Sequence, residues 1–214
     1  MAGTARGERI NKKSEDFFDQ IAASEEIIPE PVRCYPYVLE LLASEEGGSL
    51  ADLGCGTGEM LSRILQTYPD RFRLHGLDLS ANSLKKAEEK CGGAISLQKG
   101  NVEQLPYETG SMDLLLCMHS FHHYPHPVEA LREMRRVLKP GGKLILVENC
   151  YPTMKRLKVN ITLLLYRYPN GDIRMYSQKQ MNALAVKAGF ELLENRTIGE
   201  NSQLLTCRKQ EQDV

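Results

Sequence analysis

The apolar positions of the chain alternate between short continuous runs and stripes at helical spacing. Residues 49–53 read as a short strand. Leu61, Ile64, Leu65 and Tyr68 then share one helical face, and Pro69-Asp70 stops that helix. Residues 72–78 form a second strand. Ser80 caps a helix that carries Leu84, Ala87 and Cys91 on its buried side, with Gly92 at its stop. Residues 94–97 are a weaker third strand, and residues 112–118 are so apolar that they belong in the middle of a sheet. Pro127 opens a helix with Val128, Leu131, Met134 and Leu138 inward, and Lys139-Pro140-Gly141-Gly142 turns into a fifth strand over residues 143–148. Further on, Met154, Leu157, Ile161, Leu164 and Tyr168 fit a helical stripe. Ser177 and Gln180 have capping-box spacing before Met181, Leu184, Ala185 and Ala188, and Gly189 closes that helix. Residues 190–196 and 203–208 read as two closing strands. Strands and helices alternate, so the pattern predicts an α/β fold with a mostly parallel sheet.

Length and composition narrow the class. A chain of 214 residues, 42% hydrophobic and 26% charged, suits one globular domain with a sizeable core. The formal net charge of −1 provides no positive field for nucleic acid or anionic lipid. No two of the six cysteines have metal or redox spacing, and no segment has the length and apolarity to span a membrane. Residues 1–13 hold charge without an apolar stretch, so no secretory signal is expected and the thiols read as reduced, in a cytoplasmic setting.

The chemistry concentrates in a glycine-rich turn. Gly54-x-Gly56-x-Gly58 follows a strand, opens a helix and precedes a second strand ending in Asp78. A lone turn of this kind is a tight strand-to-helix corner, but in this context it describes a pocket for a nucleoside-bearing cofactor. The sixth position is Glu59, which would repel the pyrophosphate of a dinucleotide. It suits a cationic cofactor, and Asp52 adds a second negative group.

The sequence Ala51-Asp52-Leu53-Gly54-Cys55-Gly56-Thr57-Gly58 resembles motif I of class I S-adenosylmethionine-dependent methyltransferases. Gly76-Leu77-Asp78-Leu79-Ser80 resembles their acidic ribose motif, and Gly100-Asn101-Val102-Glu103-Gln104-Leu105-Pro106 their adenine-edge segment. Residues 112–124, 136–142 and 176–191 continue the likeness in register, and its nearest flavour is the small-molecule branch, which includes the ubiquinone/menaquinone-biosynthesis type. The resemblance implies a three-layer Rossmann-like sandwich with a mostly parallel seven-stranded sheet, its last strand antiparallel, and an N-terminal helical cap. The whole chain would be one domain: cap 1–48, cofactor-binding core 49–149, lid insertion and closing elements 150–214.

The resemblance also implies roles. The backbone at Gly54, Cys55 and Gly56 would approach the methionine part of S-adenosyl-L-methionine, and Asp52 would orient its amino group. Asp78 would hold the ribose hydroxyls and Leu79 would lie on the adenine, whose edge would meet Asn101 and Val102. Cys117 and Met118 would face the methionine moiety. The family often has aspartate at position 101; the amide there can donate and accept, or act as a turn residue after Gly100. Phe18, beside Phe17, would offer an aromatic face to the sulfonium or anchor the cap helix.

His119, His122, His123 and His126 fall within eight positions. The Pro125 and Pro127 steps argue against one helix face of metal ligands, and no cysteine or carboxylate nearby completes a set, so no metal is expected. His122 or His123 is a candidate general base, while His126 suits a helix start. The insertion at 151–176 holds Lys155, Arg156, Lys158, Arg167 and Arg174, either a solvated face or a lid for an acidic or aromatic acceptor. The leading reading is methyl transfer to a small molecule, without nucleic acid or membrane insertion. A non-catalytic binding protein of the same fold and a nicotinamide-dependent dehydrogenase stand behind it.

Overall fold

Strand β4, Met112–Met118, takes the centre of the sheet because every side chain except Asp113 is apolar and can be buried on either face. The computed structural model describes residues 5–24, 32–166 and 171–211. Among them the strands are β1 (Gly48–Leu53), β2 (Phe72–Asp78), β3 (Ser96–Lys99), β4, β5 (Leu138–Asn149), β6 (Glu191–Ile198) and β7 (Ser202–Arg208). They form one sheet in the order β3-β2-β1-β4-β5-β7-β6. The first five run parallel, and β7 lies antiparallel between β5 and β6. The helices are α1 (Ala5–Ala23), α2 (Tyr35–Ala43), α3 (Glu59–Thr67), α4 (Ala81–Cys91), α5 (Pro127–Val137), α6 (Thr153–Tyr166) and α7 (Gln178–Lys187). The seven-stranded, mostly parallel Rossmann-like sandwich is the expected class.

The period-two alternation of the strands splits the core into two layers. Ala51, Leu53, Leu115, Cys117, Leu144, Leu146, Leu205 and Cys207 face one side, where Leu131 and Met134 of α5 and Met181 and Ala185 of α7 cover them. Leu50, Leu114, Leu116, Met118, Ile145, Val147 and Leu204 face the other, under Val38 and Leu42 of α2 and Leu61 and Ile64 of α3. Local signals set most helix ends. Ser80 Oγ accepts from the Ser83 amide, Gly92 takes the left-handed conformation after α4, and Ser177 with Gln180 makes the reciprocal capping box of α7.

Three expectations shift. The third strand begins two residues late, because Gly92 and Gly93 both adopt positive φ and lengthen the turn. The Lys139–Gly142 turn is a bulge within β5, where the pairing jumps from Met112–Leu138 to Leu114–Lys143. The stripe of α6 exists but does not pack: Met154, Leu157, Ile161 and Leu164 are all exposed, Leu164 by 73%. Arg167 and Tyr168 lie outside the described residues.

Reversal of strand order between β1 and β4 opens a crevice at the carboxyl ends of these strands, the position where open α/β sheets bind ligands. Helix α1 lies over one side of it. Asp19 accepts from Ser80 Oγ at 2.6 Å and from the Asn82 amide at 3.1 Å, and Glu15 pairs with Lys99 at 2.7 Å.

The crevice depends on close approach of α3 and α4. Gly58 caps α3 at φ 75°, and a Cβ there would lie 2.8 Å from the Ala87 Cβ of α4. Gly58→Ala therefore combines left-handed strain with overpacking and should lower unfolding free energy by about 2–4 kcal/mol in urea titration. Ala87→Gly in the same chain should recover the overpacking part but not the strain.

Candidate functional site

The glycine loop is held by the end of β2. The Leu77 carbonyl accepts from the Gly54 amide at 2.7 Å and from the Cys55 amide at 3.0 Å. The Asp78 carboxylate accepts from the Gly56 amide and the Ser80 amide, both at 2.8 Å. The Gly58 amide closes the turn on the Cys55 carbonyl. These amides are committed to protein acceptors, so Gly54, Cys55, Gly56 and Gly58 offer no free N–H to a ligand. An anion gains little from such a loop; a cationic ligand loses nothing.

The three glycines have separate reasons. A Cβ at Gly54 would strike Ser120 Oγ, and one at Gly58 would strike Ala87. A Cβ at Gly56 would meet nothing within 4 Å, although φ is 52°. Gly56 is thus the position where the backbone lies open to a ligand.

A cavity of about 790 Å³ adjoins the loop, within the usual range for a small-molecule site. Asp52, Gly54, Cys55, Gly56, Met118 and Phe18 line it, as do His119, Asn149 and Ser202 from the neighbouring strand ends. Asp52 is buried, and its Oδ1 has no hydrogen-bond partner among the described residues. Burial, then the nearby Asp78 charge, raises its carboxyl to about 7. Glu59 sits at the cavity rim, kept ionised by Lys90 at 2.7 Å and Arg63 at 2.8 Å. Burial, then the Asp78 charge, pushes the Cys55 thiol well up, so it is an inert neutral wall.

Other expected contacts fall outside this cavity. Cys117 is fully buried in the α5/α7 layer, with Sγ 3.5 Å from Tyr124 Oη. Adjacent strand residues face opposite sides, so Cys117 and Met118 cannot both line the cavity; Met118 does. Val102 is a core residue. Asn101 accepts the Glu103 amide at 2.9 Å, the turn role held open for it. Asp78 is directed to the loop backbone under α1, its carboxyl raised by burial against the bonds from Ser80, Gly56 and Leu79. Leu79 lies beside it, half-buried.

The histidines separate. His126 starts α5 and pairs with Glu103 through Nδ1 at 2.9 Å. His119, at φ 50°, lines the cavity; its Nε2 is buried without a hydrogen-bond partner among the described residues. Burial lowers its pKa, leaving a neutral ring. His122 and His123 occupy a 3-10 turn, Phe121–His123, and do not line the cavity. His122 Nδ1 donates to both oxygens of Glu148, at 2.9 and 3.0 Å, and its Nε2 lies 3.4 Å from Asp172. Burial opposes its protonation, but Glu148 and Asp172 outweigh it and hold the pKa near 10. An imidazole already protonated at neutral pH takes no further proton, so His122 is no general base in this state. Burial and the His122 charge lower His123 to about 4, and its ring packs edge-on to Phe18 at 5.2 Å. No periodic signal in the sequence marks His119, whose inward direction comes from strand-end geometry. Glu148 and Asp172 carried no signal either.

Residues 51–146 match a family model described as a methyltransferase domain. The chain is 29% identical over 191 residues to an uncharacterized 37.1 kDa protein in transposon TN4556 of Streptomyces fradiae, covering 81% of this chain and 51% of that protein. It is 34% identical over 112 residues to the demethylmenaquinone methyltransferase of Lactococcus lactis, covering 50% of this chain and 44% of that enzyme. The chain thus spans about half the length of these curated relatives. A SAM-dependent methyltransferase from Aquifex aeolicus shares the fold, with a TM-score of 0.66 at 17% identity over 92% of this chain and 97% of that one.

Substitutions in the loop separate space from strain. Gly56→Ala should fold with a loss of only about 1–2 kcal/mol, yet its cavity should bind S-adenosylhomocysteine at least ~10-fold more weakly by calorimetry. Gly54→Ala, which forces Ser120 aside, should lose more stability in thermal denaturation than Gly56→Ala does.

Proposed function

We propose that this protein is an enzyme that transfers a methyl group from S-adenosyl-L-methionine to a small-molecule acceptor. The observation that carries the reading is the buried Asp52 Oδ1, without a hydrogen-bond partner among the described residues, on the wall of a cavity whose floor opens at Gly56. A buried carboxylate of this kind is costly unless a cation meets it. The amino group of a methionine moiety supplies that cation. Phe18 adds an aromatic face to the cavity.

When bound, S-adenosylmethionine supplies its methyl as an electrophilic carbon on sulfur. The residues of this chain then have three tasks. Asp52 and the Gly56 backbone fix one end of the ligand. Asp78 keeps acceptor capacity beyond its bonds from the Ser80, Gly56 and Leu79 amides and would take the ribose hydroxyls. Admission of the nucleoside half there requires the Asp19–Ser80 and Glu15–Lys99 contacts of α1 to part. Leu79 and Asn101 flank that side, and Val102 contributes through its backbone position. The third task is alignment of the acceptor lone pair with the carbon–sulfur bond, which supplies much of the rate. Where the acceptor keeps a proton, His119 is the cavity group positioned to take it, in place of His122 or His123.

A nicotinamide dehydrogenase is disfavoured because the loop amides that would face a pyrophosphate are already bonded to Leu77, Asp78 and Cys55. Labelled methyl transfer into a small-metabolite pool, read by mass spectrometry, separates an enzyme from a binding protein of the same fold. A folded chain that binds the cofactor and labels nothing would favour the binding protein.

Asp52 gives the reading a pH signature. Below about pH 7 the free carboxyl holds a proton that a cationic ligand must displace. Cofactor affinity should fall about tenfold per pH unit below 7 and level off above it. Asp52→Asn should bind weakly with no such slope. The ligand-free native chain retains this proton up to about pH 7, whereas the unfolded chain loses it near pH 4. Stability should therefore decline as pH rises through that window, and Asp52→Asn should raise the ligand-free melting temperature at pH 8.

A further inference from the structure

We infer that His122, His123 and Asp172 form a binding site for one divalent transition-metal ion of the Zn²⁺ type. The three side chains each offer one ligand atom, and these atoms all lie within 4.8 Å of one another. His122 Nε2 is 3.4 Å from Asp172 Oδ1, and His123 Nδ1 is 3.3 Å from the same oxygen. Ligands bonded to Zn²⁺ at its usual distances stand roughly 3.3–3.4 Å apart along a tetrahedral edge. Two edges of the triangle already have that length. The 3.3 Å approach of His123 Nδ1 is not a hydrogen bond, and that buried nitrogen has no hydrogen-bond partner among the described residues.

The surroundings are those of a ligand set. Glu148 grips His122 Nδ1 with both oxygens, which fixes the ring and leaves Nε2 turned to Asp172. A carboxylate behind a ligating imidazole is the usual support of a metal-bound histidine. The Gly171 carbonyl meets the ring of His123. The Ile173 amide bonds the His122 carbonyl at 3.0 Å, so the Asp172 segment is tied to the histidine turn by its backbone. A metal ion displaces the proton from His122 Nε2, and both imidazoles then stand neutral beside the carboxylates of Glu148 and Asp172. Two nitrogens and one oxygen suit a borderline ion such as Zn²⁺ and suit Mg²⁺ or Ca²⁺ poorly. Three protein ligands leave a coordination position for water or an acceptor oxygen. The site adjoins the cavity through Phe18, which lines the cavity and packs edge-on to His123 at 5.2 Å. It stands whether or not methyl transfer is the activity.

The test is equilibrium dialysis of the full, reduced chain against Zn²⁺ and, separately, Mg²⁺, with metal content measured by mass spectrometry. One Zn²⁺ per chain is expected, with no Mg²⁺ retained at the same concentration. His123→Ala and Asp172→Asn should each weaken Zn²⁺ binding at least ~100-fold, and Glu148→Gln ~10–100-fold. The Co²⁺ form should lack a thiolate charge-transfer band, and Cys150→Ala should bind as the unaltered chain does. Circular dichroism checks each variant; if His123→Ala fails to fold, the isosteric Asp172→Asn decides. Absence of retained Zn²⁺ in the folded chain, equal binding in the folded variants, or a thiolate band would overturn the assignment.

Discussion

The carboxyl end of β2 holds the site together. One carbonyl, that of Leu77, takes two loop amides, and one carboxylate, that of Asp78, takes two more on either side of the strand end. The loop after β1 therefore has its shape fixed by a neighbouring strand rather than by its own turn bonds alone. The consequence reaches further than the loop. With its shape fixed, Gly54 can pass under Ser120, Gly58 can let α3 approach α4, and Gly56 is left as the open floor of the cavity. Charge-assisted bonds from backbone amides to a carboxylate are strong enough to fix such a conformation, and the glycines adopt it without left-handed strain.

Three buried or half-buried acids stand at the carboxyl ends of parallel strands: Asp52 on β1, Asp78 on β2 and Glu148 on β5. Each must be compensated, and the compensations differ. Asp78 has backbone amides. Glu148 has the His122 ring, which holds it below the usual carboxylate range despite burial. Asp52 has no protein donor to Oδ1 among the described residues, so its carboxyl retains a proton to about pH 7. That inequality separates the acid suited to a cationic ligand from the two that organise the protein. It also explains why His122, although the most tightly held histidine, is poorly suited to accept a proton.

The elements outside the sheet divide by how firmly they are tied. Helix α1 is bound to α4 and β3 through Asp19 and Glu15, and it carries Phe18 to the cavity wall and to His123. Helix α6 is joined to the body through Asn160, whose side chain brackets the Met175 backbone at 2.8 and 3.0 Å. Its apolar stripe remains exposed. An amphipathic pattern guarantees a helix with two unlike faces; it does not guarantee that the apolar face meets the core of the same chain.

Periodicity and punctuation in the sequence determined the sheet's strands, the caps at Ser80 and Ser177, and the glycine loop with its acid. These are local matters of backbone geometry and burial, and residues a few positions apart decide them. Strand register at the 139–142 bulge, the inward face of Met118 over Cys117, and the commitment of loop amides to β2 came from tertiary packing. The histidine turn shows the divide most plainly. Its four histidines were visible as a cluster, but the partners that sort them are distant in sequence: Glu103 for His126, Glu148 and Asp172 for His122, Phe18 for His123. No residue spacing encodes those contacts. They exist because parallel strands and a returning backbone segment bring separate stretches of chain to one end of the sheet, where burial makes each charge depend on its neighbours.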